Sequence, residues 1–414
     1  MTRELPFSEG EYRDRAHRVR QEMARRAVDV LFVMSPANLC YLTGFESIWS
    51  PPRAPLGVVV SRQDDRLVFL DYERHETLVR ETAVFDYGVF YRYEDALDAI
   101  ARAFHERGWH EGSVGIEWWT QSPGAPLVRE TAGRLEALGA RIVDGDWTVD
   151  RVRAVKSEAE LAYVRRAAEI ADAAFADLLE TARPGHTELQ VAARLDAVMA
   201  DQGGESAAIR TMVSAGPDVW CRTHSPPSRR PLEVGDVMYV DACGVFNRYH
   251  ADLCRTVAIG RDHEEARRIL EYTAQSIEAV QRAVRPGDPL DVAQRAAEDW
   301  VFAQIPREQV WWVGGYALGI AVPPSWVGHT YLSNDAFESF TWEPGYVTNY
   351  ENIVFDRDRG FTASYMETLV MTEDGVETLS RHPRELAVAG QSGRKLPRRS
   401  SASRTSQGGT DSAA

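Results

Sequence analysis

Four carboxylates fall in two pairs, and each pair straddles a short polar turn. Asp241 and Asp252 lie in VMYVDACGVFNRYHADLCRTVAIG, two apolar runs about a turn near Asn247 and Arg248. Read as a β-hairpin, this stretch sets the two acids opposite each other, with β-carbons about 5 Å apart. Further on, YVTNYENIVF and SYMETLVM flank a turn from Asp356 to Gly360, which places Glu351 and Glu367 symmetrically about it. The apolar neighbours Val240, Ala242, Ile353, Met366 and Leu369 put these acids away from a wet surface, and two such hairpins imply one shared site. Facing carboxylates repel and lose hydration, so they need a cation, a shared proton or a hydrogen-bond donor. Four carboxylates without imidazole favour a hard ion such as Mn²⁺ or Mg²⁺ over Zn²⁺. Without an ion, at least one carboxyl must hold a proton at neutral pH.

The elements around these pairs repeat. RPGHTELQVA (183–192) and RPGDPLDVAQ (285–294) share Arg-Pro-Gly and an apolar helix start. Each follows a long helix, expected over about 157–182 and 263–284, and each precedes an acid-bearing hairpin. Thr187 and Gln190 fit a capping box. Residues 155–378 therefore read as two α+β halves about a pseudo-two-fold, with the acids between them, in a domain spanning 151–388. Ahead of them, residues 1–150 alternate helix and strand: a helix over 8–27, VDVLFVM, a hairpin in LGVVVSRQDDRLVFLD, and helices over 93–107 and 125–139. YLTGF reads as a strand and DWTVDRVRAVKSEAEL as a linker. The fold class is thus an α/β N-terminal domain followed by an α+β domain. Residues 389–414, rich in Ser, Gly and Arg, read as a disordered basic tail.

Composition excludes several functions. The 414 residues carry a net charge of −15, which disfavours nucleic acid. Hydrophobic residues make up 44%, ample for buried cores. Mean hydropathy is −0.35, no apolar run suits a membrane, and no signal peptide opens the chain, so the expected location is cytoplasmic. The four cysteines form no CxxC motif, and Cys243 and Cys254 read as small core residues. No GxGxxG or GxxxxGKS motif supports nucleotide binding.

RRAVDVLFVMSPANLCYLTGF, VRAVKSEAELAYVRRAAEIAD, the D-x10-D hairpin, PGYVTNYEN and ETLVMTEDG together resemble the creatinase, prolidase and methionine aminopeptidase (M24, pita-bread) family over about residues 10–380. The resemblance implies a creatinase-like N-domain, a pita-bread catalytic domain and a homodimer in which one N-domain nears the partner's active site. It implies metal ligands at Asp241, Asp252, Glu351 and Glu367. The family's ligand histidine is replaced by Tyr316 in GYALGI, and a later family histidine falls near Pro323. GYALGIAVPPSW and RYHADLCRT are similar to the branch of Xaa-Pro peptidase homologues that contains ectoine hydrolase. The expected activity is hydrolysis of an amidine, amide or guanidine C–N bond in a small carboxylate-bearing molecule, with a divalent metal (Mn, Mg, Fe or Co) as cofactor or none. His224 matches the family's proton-shuttling histidine. His250, two residues before Asp252 on the same strand face, is a further candidate ligand. Tyr316 is a candidate donor to a carboxylate or a developing oxyanion, and Arg53 and His329 are candidate substrate contacts. The competing readings are a metal-dependent Xaa-Pro dipeptidase, a lyase on the same scaffold, and a non-catalytic peptide-binding module.

Overall fold

A computed structural model describes residues 5–49, 54–120, 122–328, 330 and 340–390. The first unit is a six-stranded sheet flanked by helices. Its elements are α1 (Glu9–Arg25), β1 (Val30–Val33), α2 (Pro36–Thr43), β2 (Gly57–Ser61), β3 (Leu67–Tyr72), α3 (Glu76–Thr82), β4 (Tyr87–Tyr91), α4 (Ala96–Glu106), β5 (Ser113–Ile116), α5 (Ala125–Ala137), β6 (Arg141–Asp144) and α6 (Thr148–Ala154). The strand order is β4-β3-β2-β1-β5-β6. The hairpin β2–β3 forms as expected. Two local expectations are corrected. The YLTGF stretch ends helix α2, because Pro36 opens a helix that Gly44 closes with a left-handed φ of 76°. The expected linker contains α6, whose Thr148, Val149 and Ala154 are buried.

The second unit runs through α7 (Glu158–Thr181), α8 (Glu188–Asp201), β7 (Met212–Ala215), β8 (Val237–Phe246), β9 (Tyr249–Ile259), α9 (Glu264–Ala274), α10 (Ser276–Ala283), α11 (Asp291–Phe302), β10 (Val310–Gly314), β11 (Val347–Asp356), β12 (Phe361–Thr372), β13 (Gly375–Thr378) and β14 (Ala387–Ala389). The strand order β10-β11-β12-β9-β8-β7 is a palindrome about the β12/β9 seam. Each half is a hairpin with one further antiparallel strand, backed by helices. The turns after the two Arg-Pro-Gly motifs are alike, with Gly185 and Gly287 at φ 91° and 90°. The Thr187 capping box is present. The single helix expected over 263–284 is instead two, breaking at Gln275, after which the Ser276 hydroxyl bonds the Thr273 carbonyl. Ala389, expected in the tail, pairs with Ile259 in β14; residues 391–414 lie outside the described residues.

The hairpins are paired along ten positions each, whereas β9 and β12 meet at two, Tyr365 with Arg255 and Met366 with Cys254. Side chains stitch that seam: Thr256 Oγ1 donates to the Ser364 carbonyl, and Thr368 Oγ1 donates to the Asp252 carbonyl. Helix α7 lies directly on the β8 backbone. A β-carbon on Gly244 would stand 2.0 Å from the Ala167 carbonyl oxygen, so only glycine permits this approach. No helix among the described residues is long and apolar enough to cross a membrane.

Candidate active site

Strand alternation and the observed register decide which side chains meet. In β8–β9, Asp241 stands opposite Cys254 and Cys243 opposite Asp252. The two aspartates are therefore diagonal neighbours on one face, not the directly opposed pair expected from symmetry about the turn. Met366 pairs with both Cys254 and Glu351, which carries the same face across the seam to Glu351. Val219, Tyr239, Cys254, Ile353 and Met366 give this face an apolar floor.

Glu367 does not join the others. It pairs with Tyr350, one position out of phase with Glu351, so its side chain emerges on the opposite, helix-packed face. There it binds Arg255 at 3.1 Å and accepts from the Tyr365 hydroxyl and the Ser380 amide. The expected four-carboxylate set is thus corrected to three. His250 is corrected too. It is fully buried, its Nε2 accepts from the Ala208 amide and its Nδ1 faces the Arg248 carbonyl, so both ring nitrogens are engaged. Burial, with Arg248 nearby, pushes its pKa down to about 3. It is a structural histidine with no lone pair to offer.

The three remaining carboxyls are surrounded by donors. Asp252 Oδ1 accepts from the Cys243 thiol, and Oδ2 from the Tyr316 hydroxyl at 3.3 Å and the Asn349 amide at 2.9 Å. The same Asn349 NH₂ reaches Glu351 Oε2 at 3.2 Å, while its carbonyl accepts from the Tyr316 backbone N–H. Tyr239 donates to Asp241 Oδ2. Asp241 Oδ1 has no hydrogen-bond partner among the described residues. Burial raises all three acids. Asp241 goes well above the carboxylate range, helped by the charge of Asp252. Glu351 rises to about 8 through burial and the same charge. Asp252 rises by burial, but its ring of donors pulls it back toward the ionised form. Burial thus favours the protonated form of all three carboxyls, least at Asp252, where the donors oppose it.

His224 follows a short 3₁₀ turn that lays Val219 on the site floor. Its ring packs against Trp311, 4.8 Å between centroids, and it bonds none of the three carboxyls. Partial burial lowers its pKa, leaving it neutral at pH 7. Tyr316 is buried, is held by the Trp326 indole N–H and reaches Asp252. Arg53 and His329 lie outside the described residues. Asn349 and the two thiols were not singled out by sequence reasoning. The available signal was alternation: Asn349 precedes Glu351 by two, as Cys243 follows Asp241 by two.

The two-unit architecture and an acid-lined sheet face define a hydrolase of the pita-bread class. The chain belongs to metallopeptidase family M24, whose model matches residues 162–373; the creatinase/prolidase N-terminal domain model matches 15–155. It is a hydrolase acting on C–N bonds. It is 28% identical over 412 residues to ectoine hydrolase of Halomonas elongata, covering 93% of this chain and 98% of that one. It is 21% identical over 378 residues to the Xaa-Pro dipeptidase of Pyrococcus furiosus, covering 90% and 99%. Among solved structures, prolidase from Thermococcus sibiricus superposes with a TM-score of 0.79 at 19% identity, covering 91% of this chain and 99% of that one.

Peptidases of this family typically use divalent metals. The residues here do not fit one. A cation needs converging lone pairs, but the Asp252 oxygens face a thiol, a phenol and an amide N–H, and the amide NH₂ of Asn349 sits between Asp252 and Glu351. The fourth carboxylate is on the other face with Arg255, and no imidazole nitrogen joins the set. Among the described residues no group of three or more His, Cys, Asp or Glu side chains is placed to hold an ion.

Proposed function

We propose that this enzyme hydrolyses an amidine, amide or guanidine C–N bond in a small carboxylate-bearing molecule, using proton-sharing carboxyls and His224 in place of a metal. The observation that supports this most is Asn349 wedged between Asp252 and Glu351, with donors filling the positions where ion-facing lone pairs would be needed. The likeness to an ectoine hydrolase favours a cyclic amidine as substrate. Asp252, which its donors draw toward the ionised form, attracts the cationic nitrogen through charge and not through a direct bond, since its oxygens already face donors. Neutral His224 takes a proton from water, whose hydroxide adds to the carbon. Glu351 gives its proton to the nitrogen as the C–N bond breaks and the carbonyl forms, the proton of the added hydroxyl passes back to Glu351, and His224 releases its own proton to solvent. Tyr316 acts as a positioning residue by holding Asp252. Residues 1–150 and 151–388 form the two domains, and the enzyme works as a cytoplasmic homodimer.

The test is the pH dependence of kcat/KM on ectoine, amidines and guanidines. The base must be unprotonated and the acid protonated. Activity should therefore fall on the acid side with an apparent pKa below 6.5, from His224, and on the alkaline side near 8, from Glu351. Glu351→Gln should remove the alkaline limb together with most of the rate. A chelator should leave the wild-type rate unchanged. Activity on Xaa-Pro dipeptides that a chelator abolishes and Mn²⁺ restores would replace this reading with the metal-dependent dipeptidase.

A further inference from the structure

The 414 residues contain two lysines against 45 arginines. One, Lys395, lies outside the described residues; the other is Lys156, just after α6. Lys156 is 6% exposed and lines a cleft of about 680 Å³ between the first unit and the 317–328 segment. Its ammonium carries three donors and makes one hydrogen bond, to the Ala154 carbonyl at 2.9 Å. No carboxylate pairs with it among the described residues. Glu160, the nearest acid in sequence, is already bound by the Tyr249 hydroxyl and the Ser157 amide. The neighbouring Arg153 is taken up by Asn38 and the Ile320 carbonyl. A buried cation without a counter-charge is costly, and burial, reinforced by Arg153 and opposed by Glu160, pushes this amine down to about 7. Gly319 packs closely against its stem: a β-carbon there would stand 3.2 Å from Lys156 Cε.

We propose that this cleft is a binding site for a small monocarboxylate with an apolar body, whose charge pairs with Lys156. A single open ammonium neutralises one negative charge, so a phosphate dianion fits less well. Pro36, Leu318, Ile320 and Trp326 supply apolar wall. The site is separate from the acid cluster yet connected to it, because the Trp326 indole N–H holds the Tyr316 hydroxyl that reaches Asp252. The proposal does not depend on the hydrolytic mechanism.

The lysine economy makes the test direct. The full chain is produced with lysine labelled with ¹³C at Cε alone, giving two ε-methylene signals, and Lys395→Ala assigns the remaining one to Lys156. Millimolar benzoate should shift the Lys156 signal saturably and move the midpoint of its titration upward, while neutral benzamide should do neither. A Lys156 signal unmoved by benzoate, or moved equally by benzamide, overturns the proposal. No turnover is measured, so failure here leaves the hydrolase reading intact.

Discussion

Asn349 shows how one neutral side chain can decide the chemistry of three acids. Its NH₂ donates to Asp252 and Glu351 while its carbonyl fixes the Tyr316 backbone. Leucine has similar volume and no donors. Asn349→Leu is expected to lower kcat/KM by about a hundredfold and to raise the midpoint of the alkaline limb, since Glu351 would lose the one bond that favours its ionised form. A pH profile of the variant checks both. Glu351 also leaves a mark on stability. Its folded-state pKa is raised, so its contribution is fully present below its ordinary value of 4.5 and is lost as pH rises through about 8. Thermal melts should show Glu351→Gln gaining on the wild type between about pH 4.5 and 8 and holding that gain above it. The acids themselves were legible in the sequence as polar interruptions of apolar runs. Their protonation was not, because it depends on donors from other strands.

At the scale of elements, periodicity gave the long helices to within a residue or two: α1 was expected over 8–27 and spans Glu9–Arg25, and α7 was expected over 157–182 and spans Glu158–Thr181. Register was the harder quantity. A one-residue change of phase moves a side chain to the other face, and symmetry about a turn of unknown length cannot fix that phase. Here Glu351 and Glu367 were assigned to one face and occupy two. The consequence for Glu367 is a buried ion pair with Arg255 in the helix-packed layer. Gly244 belongs to the same scale. Its replacement by alanine would drive a methyl group into the Ala167 carbonyl, and overpacking of this kind costs about 3 kcal/mol. Urea unfolding of Gly244→Ala should show a loss of that size, with α7 pushed off the strand that carries Cys243.

Over the whole molecule, the two units are joined by buried polar contacts. Arg15 of α1 is fully buried, its guanidinium reaching the Tyr41 carbonyl, the Tyr249 hydroxyl and, at 3.7 Å, Glu160 of α7. Removing that cation leaves Glu160 buried with less compensation, and breaking a buried pair typically costs about 3–5 kcal/mol. Arg15→Met is therefore expected to lower the melting temperature and to split a single thermal transition into two, readable by calorimetry. The fold class was legible because two copies of one pattern, each opening on Arg-Pro-Gly, recur about a hundred residues apart; contacts such as Arg15 with Tyr249 were not, because nothing local in either segment signals the other.

The seam between the halves has a mechanical meaning. The two hairpins are zipped along their lengths, but β9 and β12 share two paired positions and a few side-chain stitches. Pulled apart by force, the sheet would part along that line before either hairpin unravelled. The acids are distributed across it, with Asp241 and Asp252 on one side and Glu351 on the other, spanned by the Asn349 amide. A hinge of a few degrees at the seam would lengthen that span first. The distance over which the carboxyls exchange influence is thus geared to the angle between the halves, and the acid cluster doubles as a strain gauge for the sheet that carries it.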